Sequence, residues 1–319
     1  MPTLGFMPTP VSIDNAPPPR DHRRRPQESR SQQRRRSVAT LRRWRYLSQL
    51  AVAVLILVAA VRHQLARESG APSTDALCPF GGVETLWTWV TTGEFISKVH
   101  PSNMILGAAV AVSVLVAGNA FCGWICPFGS LQDLITGLRA KLGVRAWSPS
   151  PAVDRVLRAG RYVVLLAVVV ASAVTASLIF AHYDPYVTLF SLHWLFEPDL
   201  ATMWPALVIL TVVLIGSVLV DRFWCRYLCP AGAVFAVLGH LSFLRIRRTA
   251  SACTDCRLCN TPCPVGIDVA GTPSAVSTDC IGCLECVANC TFGGALEVSG
   301  PTWVGSIGRR TSERDTVLS

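Results

Sequence analysis

Long apolar segments, separated by stretches rich in arginine and proline, dominate the pattern along this chain. Four of these segments are long enough to cross the roughly 30 Å hydrocarbon core of a bilayer. The pattern therefore predicts membrane-spanning helices over about residues 46–61, 103–121, 162–180 and 202–220. A fifth apolar segment, 231–244, is short for a span and runs directly into Arg245, Arg247 and Arg248, so we expect an interfacial or buried helix there.

The placement of charge predicts the orientation of these helices. The connection 127–161 is rich in Lys and Arg, whereas the connection 181–201 has none. Because short cytoplasmic loops carry the excess of basic residues, we expect a multi-pass protein of the cell membrane with both termini cytoplasmic. The loops 62–102 and 181–201 would then lie outside. The fold class predicted is mainly α, a four-helix transmembrane bundle over residues 44–244 with a small C-terminal module.

Composition agrees with a membrane protein: 51% of residues are hydrophobic, 15% are charged and the mean hydropathy is +0.41. The net charge of +9 arises largely from an arm, residues 1–43, that is rich in Pro and Arg and predicted to be disordered. Its arginines directly precede the first span, which favours contact with anionic membrane lipid and gives no support for nucleic-acid binding. We also expect a flexible tail over residues 299–319.

Eight of the thirteen cysteines form two runs in a predicted module over residues 245–298. Each run has the spacing Cys-x2-Cys-x2-Cys-x3-Cys of bacterial two-cluster ferredoxins, in which the fourth cysteine of a run ligates the other cluster. This predicts two [4Fe-4S] clusters in a small α+β domain. The ligands expected for cluster 1 are Cys253, Cys256, Cys259 and Cys290, and those for cluster 2 are Cys263, Cys280, Cys283 and Cys286.

A second pair of motifs, each Cys-x3-Cys-Pro, follows the second and the fourth predicted spans. This spacing puts two thiols about one helical turn apart, so the four sulfurs of two neighbouring helix ends are able to converge. Three interpretations stay open: a further iron-sulfur centre, redox-active thiol pairs, or buried thiols that only cap helices. The residues of this candidate site are Cys122, Cys126, Cys225 and Cys229.

Together these features resemble the membrane polyferredoxin-like 4Fe-4S binding proteins of the NapH/NosR type, the family of quinol dehydrogenase membrane subunits. The resemblance covers about residues 45–298. It implies electron transfer between the quinone pool or the cytoplasm and a redox partner. It also implies a periplasmic or extracytoplasmic flavoprotein or reductase as that partner. The chain departs from the usual ferredoxin pattern at Thr291, where a proline is expected after the last cysteine.

The remaining cysteine, Cys78, lies in the first predicted outer loop within a segment that also resembles this family. A free thiol, a contact to a cofactor and an intermolecular bond all remain open for it, which makes it a candidate outer-face site. Haem is disfavoured, because no two histidines lie within facing spans as a bis-histidine haem requires.

The leading hypothesis is therefore a membrane-bound electron-transfer protein that exchanges electrons with a quinone or quinol pool. No nucleophile, phosphate loop or paired-carboxylate site supports hydrolytic or transferase chemistry, so any catalytic role is that of the membrane component of a quinol dehydrogenase. Two alternatives stay open. One is a metal-handling factor for oxidase assembly that reduces copper, and the other is a redox sensor whose clusters signal the redox state and do not carry electrons to a partner.

Overall fold

The computed structural model describes residues 24–65, 102–175, 180–196, 200–273, 275–292 and 294–300. Helices dominate these residues, as predicted. The expectations for residues 1–23, for the outer loop with Cys78 and for the tail after residue 300 lie outside the described residues.

Four helices correspond to the predicted spans: α1 (Arg24–Leu65), α2 (Ser102–Ala117), α5 (Pro151–Thr175) and α8 (Leu200–Leu219). Three segments within them, Arg35–Leu65, Pro151–Thr175 and Ala201–Leu219, are long and apolar enough to cross a membrane. Helix α2 has 16 residues, about 24 Å at 1.5 Å per residue, which is shorter than the bilayer core. Among the described residues, three candidate spans are therefore present, and the fourth stays a prediction.

The outward faces of these helices carry large apolar side chains that no residue of the described part of the chain covers. Leu55 on α1, Val163 and Leu166 on α5 and Ile215 on α8 are all more than half exposed. A soluble protein rarely exposes so continuous an apolar surface. Lipid is the solvent that suits these faces, and the chain is a membrane protein.

The ends of several helices differ from the prediction. Helix α1 begins at Arg24 and so includes the second half of the arm for which disorder is predicted. Residues 27–65 contain neither Pro nor Gly to break the helix. Helix α2 ends four residues early, because Gly118 takes a left-handed conformation with φ +60°. Helix α5 begins at Pro151, about three helical turns before the predicted start at residue 162.

Short helices follow the two predicted inward spans. After α2 come α3 (Ala120–Trp124) and α4 (Pro127–Lys141). After α8 come a π-helical turn (Trp224–Leu228) and α9 (Pro230–Leu238), which ends in a 3-10 turn at Gly239–Leu241. The helix predicted over 231–244 is thus shorter than expected.

The C-terminal module contains a two-stranded antiparallel sheet and one short helix. Strand β1 (Arg245–Arg248) pairs with β2 (Leu296–Ser299), and α10 (Glu285–Asn289) lies between them in sequence. Ile246, Val269 and Leu296 form the small core of this module together with Cys259 and Cys286. Cysteine side chains are thus part of the core itself.

The segment between α5 and α8 folds back into the bundle. It contains a 3-10 turn (Phe180–His182), α6 (Pro185–Phe190) and α7 (His193–Phe196). Tyr186 and Phe190 are buried in the membrane-domain core with Phe128 and Trp224. This segment therefore reaches from one end of the bundle toward the helix ends that carry the Cys-x3-Cys-Pro motifs.

Candidate iron-sulfur and thiol sites

The two ferredoxin-type cysteine runs line two separate small cavities in the C-terminal module. The cavity farther from the helical bundle has a volume of about 20 Å³, and the nearer one about 10 Å³. The cysteines of the first cavity are Cys253, Cys256, Cys259 and Cys290. Those of the second are Cys263, Cys280, Cys283 and Cys286. Each fourth cysteine thus lines the cavity of the other run, and four thiols around each cavity fit a [4Fe-4S] cube.

The two cavities differ in their surroundings. At the first, the pKa of Cys253 is lowered by the backbone amide of Asp255 and by the guanidinium of Arg248. At the second, burial raises the pKa of Cys280 to about 12. A thiol with such a pKa keeps its proton at neutral pH unless iron replaces it. Clusters held at these two sites would therefore sit in environments of different charge and exposure, which are two of the factors that set reduction potential.

The four cysteines of the Cys-x3-Cys-Pro motifs meet at a third cavity. Cys122, Cys126, Cys225 and Cys229 all line this space of about 80 Å³ between the two motifs. None of these four forms a disulfide. Burial raises the pKa of Cys122 and of Cys229 well above the usual thiol range. The structure thus brings all four cysteines to one cavity, as the spacing of the two motifs allows.

Both motifs use the same local geometry to aim their sulfurs. The second cysteine of each is the N-cap of a helix, with φ and ψ of −60° and 116° at Cys126 and of −65° and 114° at Cys229. Proline follows as the first helical residue in both, where its missing N–H is not needed. The amide of Gly232 donates to Cys229 Sγ at 3.4 Å. The N-termini of α4 and α9 therefore both favour negative charge at this cavity.

Gln132 on α4 contacts one of these sulfurs directly. Its side chain is fully buried, and its Nε2 donates to Cys225 Sγ at 3.1 Å. Its Oε1 accepts from the backbone amide of Trp224 at 3.1 Å. One side chain from the first motif region therefore fixes the backbone and a sulfur of the second.

A buried ion-pair network holds the first motif in place. Asp133 accepts two hydrogen bonds from Arg222, at 2.8 and 2.6 Å, and a further one from Arg45. Arg222 also donates to the carbonyl oxygen of Cys122 at 2.9 Å, and Arg45 to that of Gly123 at 3.0 Å. Burial alone would raise the pKa of Asp133, but the two guanidinium groups outweigh it and hold this pKa below its usual range. The network therefore carries permanent positive charge beside the cysteine cavity.

The C-terminal module packs tightly against this region. Trp124 donates from Nε1 to the carbonyl oxygen of Gly282 at 3.0 Å, and Arg42 forms an ion pair with Glu285 at 2.9 Å. Asp279 accepts from Arg158 at 3.1 Å and from Arg161. These contacts come from α1, α3 and α5 and fix the module on the helical bundle.

The three cavities lie in sequence through this interface. Cys122 packs in one apolar cluster with Ile281, Cys283 and Cys263, which belong to the nearer cavity of the module. A Cβ on Gly123 would lie 2.4 Å from the carbonyl oxygen of Ile281, so the two backbones touch. The nearer cavity thus lies between the farther one and the four-cysteine cavity.

The four-cysteine cavity also extends toward the folded-back segment. Phe180, Asp184 and Tyr186 line it. Contacts of helix α1 measure the distance between the motif region and the folded-back segment. Gln49 donates to the carbonyl oxygen of Gly123, and Gln64 donates to that of Ser191. Fifteen residues of helix separate these two glutamines, about 22 Å. The folded-back segment therefore covers part of the distance between the cysteines and the opposite end of the bundle.

Sequence reasoning found the twelve described cysteines but missed Gln132, Asp133 and Arg222. The only sequence signal for them is polar residues close to a motif that borders the membrane, with Arg222 three positions before Cys225. In the described residues, no group of three or more His, Cys, Asp or Glu side chains could hold a single metal ion. The proposed outer-face residue Cys78 lies outside the part of the chain described.

A family described as "4Fe-4S binding domain" matches residues 99–145 and 202–249. Each match contains one Cys-x3-Cys-Pro motif and its flanking helices, and the eight ferredoxin-type cysteines lie beyond both. The two matches support the predicted content of two [4Fe-4S] clusters. They also associate iron-sulfur binding with the helix pairs around the four-cysteine cavity.

Several characterised or named proteins are similar to this chain. The "Putative electron transport protein YccM" of Escherichia coli is 35% identical over 226 residues, 69% of this chain and 62% of that protein. "Protein NirI" of Paracoccus denitrificans is 36% identical over 59% of this chain and 27% of that protein. The "Ferredoxin-type protein NapH" of E. coli is 31% identical over 63% of this chain and 70% of that protein. The chain thus spans less than two thirds of the length of the first two. No solved structure is significantly similar.

Proposed function

Since this chain belongs to the family of membrane polyferredoxin-type 4Fe-4S binding proteins that includes NapH, we propose that it carries electrons through the membrane interface. It would pass them between a quinone or quinol pool, or a cytoplasmic donor, and a redox partner at the other face. The observation that carries this proposal is the order of the three cysteine-lined cavities, which lie one after another from the module into the bundle.

The proposed ligands follow from these cavities. Cluster 1 would be held by Cys253, Cys256, Cys259 and Cys290, and cluster 2 by Cys263, Cys280, Cys283 and Cys286. When bound, each [4Fe-4S] cluster supplies a centre that takes or gives one electron at a time. The residues of the chain position the sulfurs and exclude water, and Arg42, Arg158 and Arg161 fix the module against the bundle through Glu285 and Asp279.

A third redox-active site is proposed at Cys122, Cys126, Cys225 and Cys229. The N–H donors to Cys225 and Cys229 would stabilise negative charge on these sulfurs, and so would the nearby Arg222 guanidinium. The matched iron-sulfur domains cover these four cysteines, which favours a metal centre over simple thiol pairs.

In the proposed orientation both termini and the module are cytoplasmic, and the folded-back segment 180–196 is reached from outside. The redox partner at the outer face would be a flavoprotein or a reductase. The absence of Lys and Arg from residues 181–201 and their abundance in residues 127–161 support this orientation.

Anaerobic absorption spectroscopy of the protein in nanodiscs tests the function. We expect a quinol to reduce the clusters, with bleaching of their visible absorption, and copper(II) to leave the reaction unaltered. If quinol, quinone and soluble donors all leave the clusters unchanged while added copper(II) is reduced, the metal-handling alternative replaces electron transport. If the clusters are reduced by soluble donors but no partner protein reoxidises them, the redox-sensor alternative applies.

A further inference from the structure

A further cavity lies at the seam between the module and the end of α2. Its volume is about 200 Å³, more than twice that of the four-cysteine cavity. Its walls come from the chain around Asn119, from the turn after α9 and from the module near Thr278 and Gly282. It contains one cysteine, Cys280, so it is not a cluster site of the kind described above.

This seam cavity has an apolar body with a few polar groups. Ala117, Leu244, Val276 and Val298 supply apolar wall. Asn119 supplies the most informative polar atom. This residue is 6% exposed, and its Nδ2 donates to the carbonyl oxygen of Thr278 at 2.6 Å. Its Oδ1, near Gly239, has no hydrogen-bond partner among the residues that the structure describes. A buried acceptor without a donor costs about 1–3 kcal/mol. Such an atom is explained by a ligand that donates to it.

The chemistry of the lining limits the ligand. Arg245 is the single basic side chain of the cavity wall as described, and it already donates to the carbonyl oxygens of Gly239 and His240. A phosphate-bearing cofactor is favoured by several converging basic side chains, and the described wall has one. A flat, largely apolar molecule with hydroxyl or carbonyl groups at its rim fits the wall better.

The location adds a route of entry and a reason for binding. Leu241 and Phe243, which flank Ser242 in the wall, are 69% and 63% exposed. They extend the apolar surface of the helices to the cavity. On its inner side the cavity reaches Cys280, a proposed ligand of cluster 2. A molecule dissolved in the membrane could therefore reach a redox centre here without crossing water.

We propose that the seam cavity binds the head group of a quinol or quinone, with a hydroxyl group donating to Asn119 Oδ1. This inference rests on the proposed electron-transfer function and names the place where the membrane carrier exchanges electrons. Oxidation of one quinol to the quinone releases two electrons and two protons. With a [4Fe-4S] cluster bound at each module cavity, Cys280 would place cluster 2 next to the quinol, each cluster would take one of the two electrons, and the protons would pass to the aqueous phase.

Photo-cross-linking of the wild-type protein locates the site without any substitution. The full chain in nanodiscs is illuminated with an azido-ubiquinone, and the labelled peptides are identified by mass spectrometry. We expect label in residues 239–246, which line the seam cavity and not the four-cysteine cavity, and competition by decylubiquinone. Label confined to residues 180–191, which line the four-cysteine cavity, would overturn the proposal.

Two substitutions test the same site by kinetics. Ala117→Phe fills the cavity from α2, and Gly239→Ala places a methyl group 3.5 Å from Asn119 Oδ1. We expect Ala117→Phe to slow cluster reduction by decylubiquinol about tenfold or more, because the phenyl ring takes the space of the quinol head group. A tenfold loss of affinity corresponds to about 1.4 kcal/mol. Gly239→Ala adds only a methyl group and should slow the reduction less. The matched control is Ala109→Phe, on an exposed position of the same helix.

The reductant separates the two proposals. Reduction by dithionite should proceed equally in all variants, because it does not use the cavity. If dithionite reduces the wild-type clusters but Ala117→Phe keeps the wild-type rate with decylubiquinol, the seam site is wrong and electron transfer stands. If dithionite reduces no cluster in the wild type, the proposed function itself fails.

Discussion

Gln132 shows at the residue scale how the second motif is tied to the first. Its Nε2 donates to Cys225 Sγ at 3.1 Å, and the amide of Gly232 donates to Cys229 Sγ at 3.4 Å. Hydrogen bonds to a ligand sulfur stabilise the more negative, reduced state of a metal centre. Gln132 should therefore raise the reduction potential of a centre at this site.

Replacement of Gln132 by Leu removes that donor. We expect the potential of the four-cysteine centre to fall by roughly 40 mV, the equivalent of about 1 kcal/mol for one electron. A redox titration followed by electron paramagnetic resonance measures this shift. Gln64→Leu is the control, because Gln64 bonds only the carbonyl oxygen of Ser191 in the hydrogen bonds described for it. Equal shifts in both variants would exclude a local effect of Gln132.

Asp133 bears on stability. Two buried guanidinium groups, with side chains 0% and 6% exposed, depend on its carboxylate. In Asp133→Asn both guanidinium groups lose the negative charge that pairs with them, and we expect a loss of about 3–5 kcal/mol in the free energy of unfolding. Thermal unfolding in detergent, monitored by circular dichroism, measures it.

Asp255→Asn provides the comparison for Asp133. This carboxylate also pairs with an arginine, Arg248, but its side chain is 72% exposed. Exposed pairs contribute about 0–1 kcal/mol, so the variant should unfold almost as the wild type does. A destabilisation as large as that of Asp133→Asn would show that burial of the network is not the reason for its importance.

At the scale of elements, the contact between α3 and the module depends on glycine. A Cβ on Gly123 would lie 2.4 Å from the carbonyl oxygen of Ile281, and Gly282, with φ +61°, would bring its own within 3.0 Å of Ala120 Cα. The two backbones approach this closely only because neither glycine has a side chain. This contact sets the spacing between the nearer module cavity and the four-cysteine site.

Gly123→Ala should separate the two elements. We expect faster amide hydrogen exchange in residues 278–286 and slower electron transfer between the module and the four-cysteine site, because both need the close approach. Gly137→Ala on α4 is the matched control, since a Cβ there meets no atom within 4 Å. Unchanged amide exchange in Gly123→Ala would contradict the proposal that this close backbone contact holds the module on the bundle.

The sequence predicted elements better than it predicted their ends. Apolar runs located the four helices that correspond to the predicted spans, three of them long enough to cross a membrane. A segment in lipid must satisfy its backbone hydrogen bonds internally, which a helix does. The end of α2 at Gly118 and the start of α5 at Pro151 depend on packing near the motifs, where periodicity gives no signal. The cysteines were predictable because cluster ligands have fixed local spacing. The Asp133 network was not, since its partners are 88 and 89 residues away.

At the scale of the whole molecule, the orientation follows from charge placement and stays a prediction. Single cysteines introduced by Arg145→Cys and Leu195→Cys report on the two sides, since both positions are exposed. We expect a membrane-impermeant maleimide to label Leu195→Cys in intact cells and Arg145→Cys only after permeabilisation. The reverse pattern would place the module outside the cytoplasm.

The central claim is that separate clusters occupy the two module cavities, and that these two cavities and the four-cysteine site lie one after another. Electron paramagnetic resonance of the anaerobic, reduced protein, with iron and acid-labile sulfide counts, tests it most directly. We predict that Cys256→Ser and Cys283→Ser each remove a different [4Fe-4S] signal, and that Cys225→Ser leaves both signals in place. The account is contradicted if Cys256→Ser and Cys283→Ser abolish the same signal while Cys225→Ser removes the other.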